Sequence, residues 1–293
     1  MPHLLKNKYL EVQIDLPHEG YRFSRFDWTG KITDLRFLGT NFLSQERLDC
    51  PDENLIGKGL YNEFGMQEPL GFREANIGDY CHKIGLGLIK KAEPNYHFLQ
   101  AYEVVAADFS HHGDQQELKI VCRSPRHLGY AYRLEKVISL AEAQLNIAYH
   151  LKNLGEKIIH TEEYNHNFLA IGARKVDAQY QLDLSFAPAA KDFEEYEDPT
   201  GVLGLHQRSV KLQEQSVDPF FIGRLNGEKK APANWSLYHR GLGLGLQERG
   251  DFLASKINLW GWGHVISPEV FHEIRLAPGE SSSWNRSYTF FKR

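Results

Sequence analysis

Apolar and polar residues alternate along much of this chain with a period of two. Across residues 9–16, Leu10, Val12, Ile14 and Leu16 fall on one side and Glu11, Gln13 and Asp15 on the other, the pattern of a strand with one buried face. Similar β-rich runs lie at 21–28, 31–37, 118–122, 130–138, 144–151, 180–186, 236–247, 256–260 and 273–276, separated by clusters of turn-forming residues. Helical signal is sparse. The helix-prone run 139–143 sits between two strand-like runs and is short enough to be a hairpin connection. Glycines at the ends of runs (Gly30, Gly155 and Gly279) are placed where a hairpin or strand end needs positive φ. The expectation is an all-β fold, a long antiparallel meander, in one domain spanning residues 1–293.

Residues 57–91 differ in character, with much glycine, many charges and weak periodicity, and predict a long irregular connection of the kind that is usually functional or disordered. Tyr61, Phe64, Phe72 and Tyr80 within it argue against disorder, because such side chains need burial or a ligand.

Composition narrows the function classes. The 293 residues are 42% hydrophobic and 25% charged, enough apolar mass for a substantial core. A formal charge of −4 supplies no summed positive field to hold a phosphate backbone, so a nucleic-acid partner is not expected. Cys50, Cys81 and Cys122 are odd in number and lack metal or redox spacing, which reads as reduced thiols. No window approaches a bilayer span and the first residues hold no signal-like apolar stretch, so a cytoplasmic protein without a membrane partner is expected.

Candidate chemistry concentrates in two places. Residues 161–168 offer Glu162, Glu163, Asn165, His166 and Asn167 beside strand-like sequence. His166 could donate a proton, although a hydrogen-bonded structural role is the commoner one for a lone histidine. Near the C-terminus, Trp260 and Trp262 alternate with Gly261 and Gly263, which suits a flat face on which sugars stack. Glu269 follows a proline and precedes Val270 and Phe271, where burial would make it a useful base. Core tryptophans and a surface glutamate are an equally natural reading of the same residues. His111 and His112 are adjacent and would point to opposite faces of a strand, so no metal site is expected. The glycines at 241–245 and 85–87 lack the context of a nucleotide-binding loop.

Taken in order along the chain, the segments at 20–32, 149–155, 164–168 and 276–281 resemble those of the galactose mutarotase (aldose 1-epimerase) superfamily. The resemblance implies a β-supersandwich acting on the anomeric carbon of a free or phosphorylated sugar, as a monomer or homodimer, without cofactor or metal. It implies that His166 is the general acid and Glu269 the base, with Glu273, closer to the terminal Leu-Ala-Pro-Gly-Glu turn, as the competing base. It further implies that Arg73 and His82 contact the sugar, with Asn165 and the stacking face of Trp260 and Trp262 as further candidate contacts. The sequence departs from the galactose-specific pattern around Arg73 and His82, and residues 235–240 carry Tyr238 and His239 where the family places a sugar-binding aspartate. Two alternatives share the fold. One is a carbohydrate-binding protein without turnover, and the other is a lyase or hydrolase using Tyr164 and Glu163.

Overall fold

The computed structural model describes residues 1–293. Apart from three single-turn helical segments, its regular structure is entirely β. Two ten-stranded antiparallel sheets pack face to face, and a small three-stranded sheet (Tyr80–Lys83, Gly87–Lys90 and Val104–Ala106) stands beside them. In the first large sheet the strand Ile159–Asn167 is central, flanked by Leu60–Phe64 and Val265–Leu276, with Lys256–Trp262 and Phe220–Gly223 beyond the latter. The second sheet is centred on Leu244–Ala254, Ser281–Lys292 and Gln144–Asn153.

The alternation predicted for 9–16 is realised. Leu10, Val12 and Ile14 are buried in a core of 55 apolar residues that draws on both large sheets, and burial of this kind is the main stabilising term of the fold. Phe64 meets Trp284 and Phe37 meets Phe290 across the interface between the sheets.

Four local expectations change. Residues 21–28 form no strand: they make an irregular segment whose Tyr21, Phe26 and Trp28 are buried in a separate aromatic cluster on the outer side of the first sheet. Residues 57–91 are not one irregular connection, since they contain the strands Leu60–Phe64, Tyr80–Lys83 and Gly87–Lys90. The 236–247 run spans a hairpin, because a turn separates Ala231–His239 from Leu244–Ala254. The hairpin connection expected at 139–143 is present and tighter than expected, because the strand continues to Ala141 and leaves a two-residue turn with Glu142 in the left-handed region. Gly30 and Gly279 do take positive φ, but Gly155 does not. A Cβ there would come within 2.6 Å of the Gly129 carbonyl oxygen, so close backbone approach explains that glycine.

The strand Ile159–Asn167 has no apolar face, so it carries no period-two hydrophobic signal. On the inner face, Glu163 accepts hydrogen bonds from Arg286 Nη2 at 2.8 Å and Trp284 Nε1 at 3.1 Å. Farther along the same face, Asn165 donates to the Tyr288 hydroxyl at 2.7 Å and Asn167 to the Pro268 carbonyl at 2.6 Å. The outer face carries Glu162, Tyr164 and His166, since side chains on a strand alternate.

Candidate functional site

Three neighbouring strands assemble the outer-face cluster. Pairing runs antiparallel from Ile159 opposite Leu276 to Tyr164 opposite Phe271, and the same register carried two residues further sets His166 against Glu269. The other neighbour sets Glu63 opposite Tyr164 and Tyr61 opposite His166. As a result, Glu269 Oε1 lies 2.8 Å from His166 Nδ1, although Nδ1 has no partner in line with its N–H direction. Both side chains are nearly covered, with 7% and 4% exposure.

The opposite ring nitrogen is held from the irregular 21–28 segment. Arg25 Nη2 lies 2.9 Å from His166 Nε2, and the Tyr164 hydroxyl lies 2.6 Å from the same atom. Arg25 also donates to Glu63 at 3.1 Å and to Glu46 at 2.8 Å. Burial opposes its charge, but the two carboxylates outweigh that and hold the guanidinium well above its ordinary pKa. Glu63 accepts further from Lys83 Nζ at 3.1 Å and from Tyr164 at 2.6 Å. Burial would raise this carboxyl, yet Lys83, Arg25 and His166 together pull it below its ordinary value. Tyr164 is pushed well above its ordinary pKa, first by burial and then by Glu63, so it stays a hydroxyl donor at neutral pH.

Aromatic rings enclose the pair. Phe168 stacks on the His166 ring at 5.1 Å, Phe26 meets it edge-on at 5.2 Å, and Trp260 stands edge-on to Phe168 at 6.1 Å. Phe98 covers the Arg25 guanidinium at 4.5 Å. Such a surround excludes water and strengthens every charge interaction inside it.

The residues singled out in the sequence divide accordingly. His166, Glu269 and Trp260 come together. Trp262 lies farther along the Trp260 strand, donating to the Val217 carbonyl at 2.7 Å. Asn165 faces the opposite way, into the space between the sheets, and Glu163 does the same with Arg286. Glu273 is half-exposed beside His160 and Lys230, paired across the strands with Glu162 rather than His166. Arg73 is exposed and bound to Glu68 at 2.7 Å, on a cleft that His166 does not line.

His82 points away from the cluster, with Nε2 at 3.2 Å from the His127 carbonyl oxygen and its ring against Tyr130 and Tyr132. The next residue, Lys83, reaches Glu63 instead, as strand alternation requires. Burial keeps His82 neutral, with its pKa pulled down to about 4. The unfolded chain therefore takes up this proton first as the pH falls, and the associated stability, complete above about pH 6.5, is lost on approaching about pH 4. His272, also pulled down to about 4 by burial, acts in the same sense. Replacing His82 by Gln is expected to flatten the pH dependence of the urea midpoint over this window, by on the order of 3 kcal/mol of unfolding free energy. Parallel pH profiles for the two proteins would contradict this account.

Arg25 and Glu63 were not anticipated as part of the site, and Lys83, one of several cations available for a phosphosugar at a pocket rim, is instead buried against Glu63. Tyr164 shares the period-two face of His166, and Lys83 could have been preferred to His82 by the same parity once one partner was known. Arg25 carries no local signal, because it reaches the site from a segment without regular structure.

No protein-family model matches the sequence, and no curated protein is similar to it by sequence. Solved structures are similar over the whole chain. Protein Slr1438 of Synechocystis superposes with a TM-score of 0.66 at 12% identity, covering 100% of this chain and 96% of that one. A galactose mutarotase-like protein from Lactobacillus casei gives 0.63 at 11%, covering 99% and 100%. A GalM/aldose epimerase homologue from C. elegans gives 0.60 at 16%, covering 100% and 99%. The chain has the galactose mutarotase-like β-sandwich fold.

Proposed function

We propose that this protein interconverts the α and β anomers of an aldose by opening and reclosing the sugar ring. The observation that carries the reading is the 2.8 Å approach of His166 Nδ1 and Glu269 Oε1 on one face of the sheet, inside an aromatic enclosure suited to a sugar. Glu269, ionised, removes the proton from the anomeric O1 hydroxyl. The electron pair becomes the carbonyl as the bond from C1 to the ring oxygen breaks, and protonated His166 delivers its Nδ1 proton to that oxygen. Rotation about the C1–C2 bond and the reverse proton transfers close the other anomer.

The surrounding groups suit these roles. Tyr164 donates its O–H to Glu63, and its hydroxyl, 2.6 Å from His166 Nε2, helps to orient the ring. Arg25 on the Nε2 side and Glu269 on the Nδ1 side bracket the imidazole with opposite charges. Arg25 and Lys83, the two cations bound to Glu63 beside the pair, are already engaged by Glu46 and Glu63, so they offer no vacant partner for a phosphate. This favours a free aldose over its phosphate. Access requires the half-buried members of the surround, Phe98 and Trp260, to move aside.

The test is saturation-transfer exchange NMR over a panel of free aldoses and their 6-phosphates. Acceleration of anomer exchange for a free aldose is expected. Tight sugar binding with no acceleration for any sugar would instead identify a binding protein. As a positioning residue, Arg25 has its own signature: Arg25→Gln is expected to lower kcat by about 10–100-fold while changing KM much less, from loss of a charge-assisted hydrogen bond. An effect confined to KM would show that Arg25 acts on sugar binding.

A further inference from the structure

Glu269 has a neighbour on each side across the sheet. His166 stands on one side. On the other, the antiparallel pairing of Lys256–Trp262 with Val265–Leu276 sets Asn258 opposite Glu269, at the spacing of about 4.5–5.5 Å that lets facing side chains meet. Asn258 points to the same outer face as the pair. The residues two positions away settle this, since Lys256 Nζ lies 4.0 Å from the centre of the Phe271 ring and Trp260 stands edge-on to Phe168, while Ile257 and Leu259 lie in the core between the large sheets.

Asn258 is 4% exposed, and its Oδ1 accepts a hydrogen bond from the Arg224 backbone N–H at 3.1 Å. That bond fixes which end of the amide carries the oxygen, so the NH2 group points the other way. Nδ2 has no partner in the protein, yet it is not one of the polar atoms sealed in the interior and it touches solvent. A nearly buried amide with one end satisfied and a reachable, unspent donor at the other is completed by an acceptor that enters the site. The other polar side chain beside Glu269 has its hydroxyl hydrogen committed: Ser267 Oγ donates to Glu269 Oε1 at 3.4 Å and accepts from the Asn167 N–H at 3.1 Å.

The order of the strands selects the hydroxyl that the amide meets. In the ring-opening reading His166 serves the ring oxygen and Glu269 the O1 hydroxyl. C1 of an aldopyranose is bonded to the ring oxygen, to O1 and to C2, so O1 lies between the ring oxygen and the C2 hydroxyl. His166, Glu269 and Asn258 stand in that same order on three adjacent strands. We propose that Asn258 is a specificity-determining residue of this site, donating from Nδ2 to the C2 hydroxyl oxygen of the bound aldose. The assignment rests on the ring-opening reading for the position of O1.

Glucose and galactose are compared with their 2-deoxy counterparts on the full-length protein and on Asn258→Ala, by saturation-transfer exchange NMR for turnover and by calorimetric titration for binding. For whichever of the two hydroxylated sugars exchanges faster, Asn258→Ala is expected to lower kcat/KM by about 10-fold, the worth of one hydrogen bond. For its 2-deoxy counterpart the two proteins are expected to agree within about twofold, because that sugar has no hydroxyl for the amide to hold. On the unaltered protein, which needs no variant to fold, the side-chain NH2 signals of Asn258 are expected to shift with the hydroxylated sugar and to stay in place with the 2-deoxy one. Equal losses for both sugars, no loss for either, or NH2 signals indifferent to the C2 hydroxyl would overturn the assignment. Absence of exchange with all four sugars would overturn the ring-opening reading instead, and the calorimetric affinities of the two proteins then decide the assignment by the same comparison. Binding of none of the four would overturn both.

Discussion

Glu269→Gln and His166→Ala are each expected to lower the rate of anomer exchange by about 10²–10⁴-fold, the usual contribution of one positioned acid or base. Gln at 269 keeps the shape of the side chain that sits 2.8 Å from the imidazole but cannot take the O1 proton. Ala at 166 removes the group that returns a proton to the ring oxygen. Because the two act in one proton-transfer step, the double variant is expected to be little slower than the worse single one. Glu273→Gln is the control for the competing base. Glu273 is half-exposed and engaged by His160 at 3.3 Å and Lys230 at 3.5 Å, so its loss is expected to leave the exchange rate within about twofold. Saturation-transfer NMR on the three variants and the unaltered protein reads all of this directly. A Glu273→Gln protein that loses activity while Glu269→Gln keeps it would move the base to Glu273.

The second large effect concerns stability. Arg286 is fully buried between the sheets and donates to Glu163 at 2.8 Å, to Glu248 at 2.6 Å and to the Val270 carbonyl at 2.7 Å. Trp235 Nε1 completes Glu248 at 2.7 Å. Burial works against the Arg286 charge, and Glu163 and Glu248 more than restore it, raising its pKa well above the ordinary value. Arg286→Met removes the only cation hydrogen-bonded to these two buried carboxylates and is expected to cost about 3–5 kcal/mol, the range for breaking a buried ion pair from one side. A chain of this size should then melt on the order of 10 °C lower. Urea unfolding followed by tryptophan fluorescence checks it, since Trp235 and Trp284 both donate into this cluster. A cost below about 1 kcal/mol would mean that water reaches the carboxylates once the guanidinium is gone.

Both predictions turn on the strand Ile159–Asn167, which did not read as a strand in the sequence. Period-two analysis looks for one apolar face, and this strand has a charged core on one side and a charged site on the other. What compensates each polar group is supplied by residues more than a hundred positions away, such as Arg286 for Glu163 and Glu269 for His166. The opposite error at 21–28 has a related origin. Its aromatic residues are strand-like in type, yet they pack as an irregular cap over Tyr61 and Phe168, and that cap brings Arg25 to the imidazole.

Alternation alone points to the β class, and residue type marked His166, Glu269 and Trp260, together with Arg73, His82, Asn165 and Trp262, as candidates for one surface. Alternation also settles which neighbours within a strand share a face, so Tyr164 travels with His166 while Asn165 turns away, and Lys83 turns away from His82. The packing of the whole chain settles which strands lie side by side, which of those faces gathers the candidate site, and that Arg25, Glu63 and Lys83 join its cluster. Local periodicity comes from backbone geometry and acts over a few residues. Strand neighbours and register come instead from the packing of side chains far apart in the chain, and no short stretch of sequence contains that information.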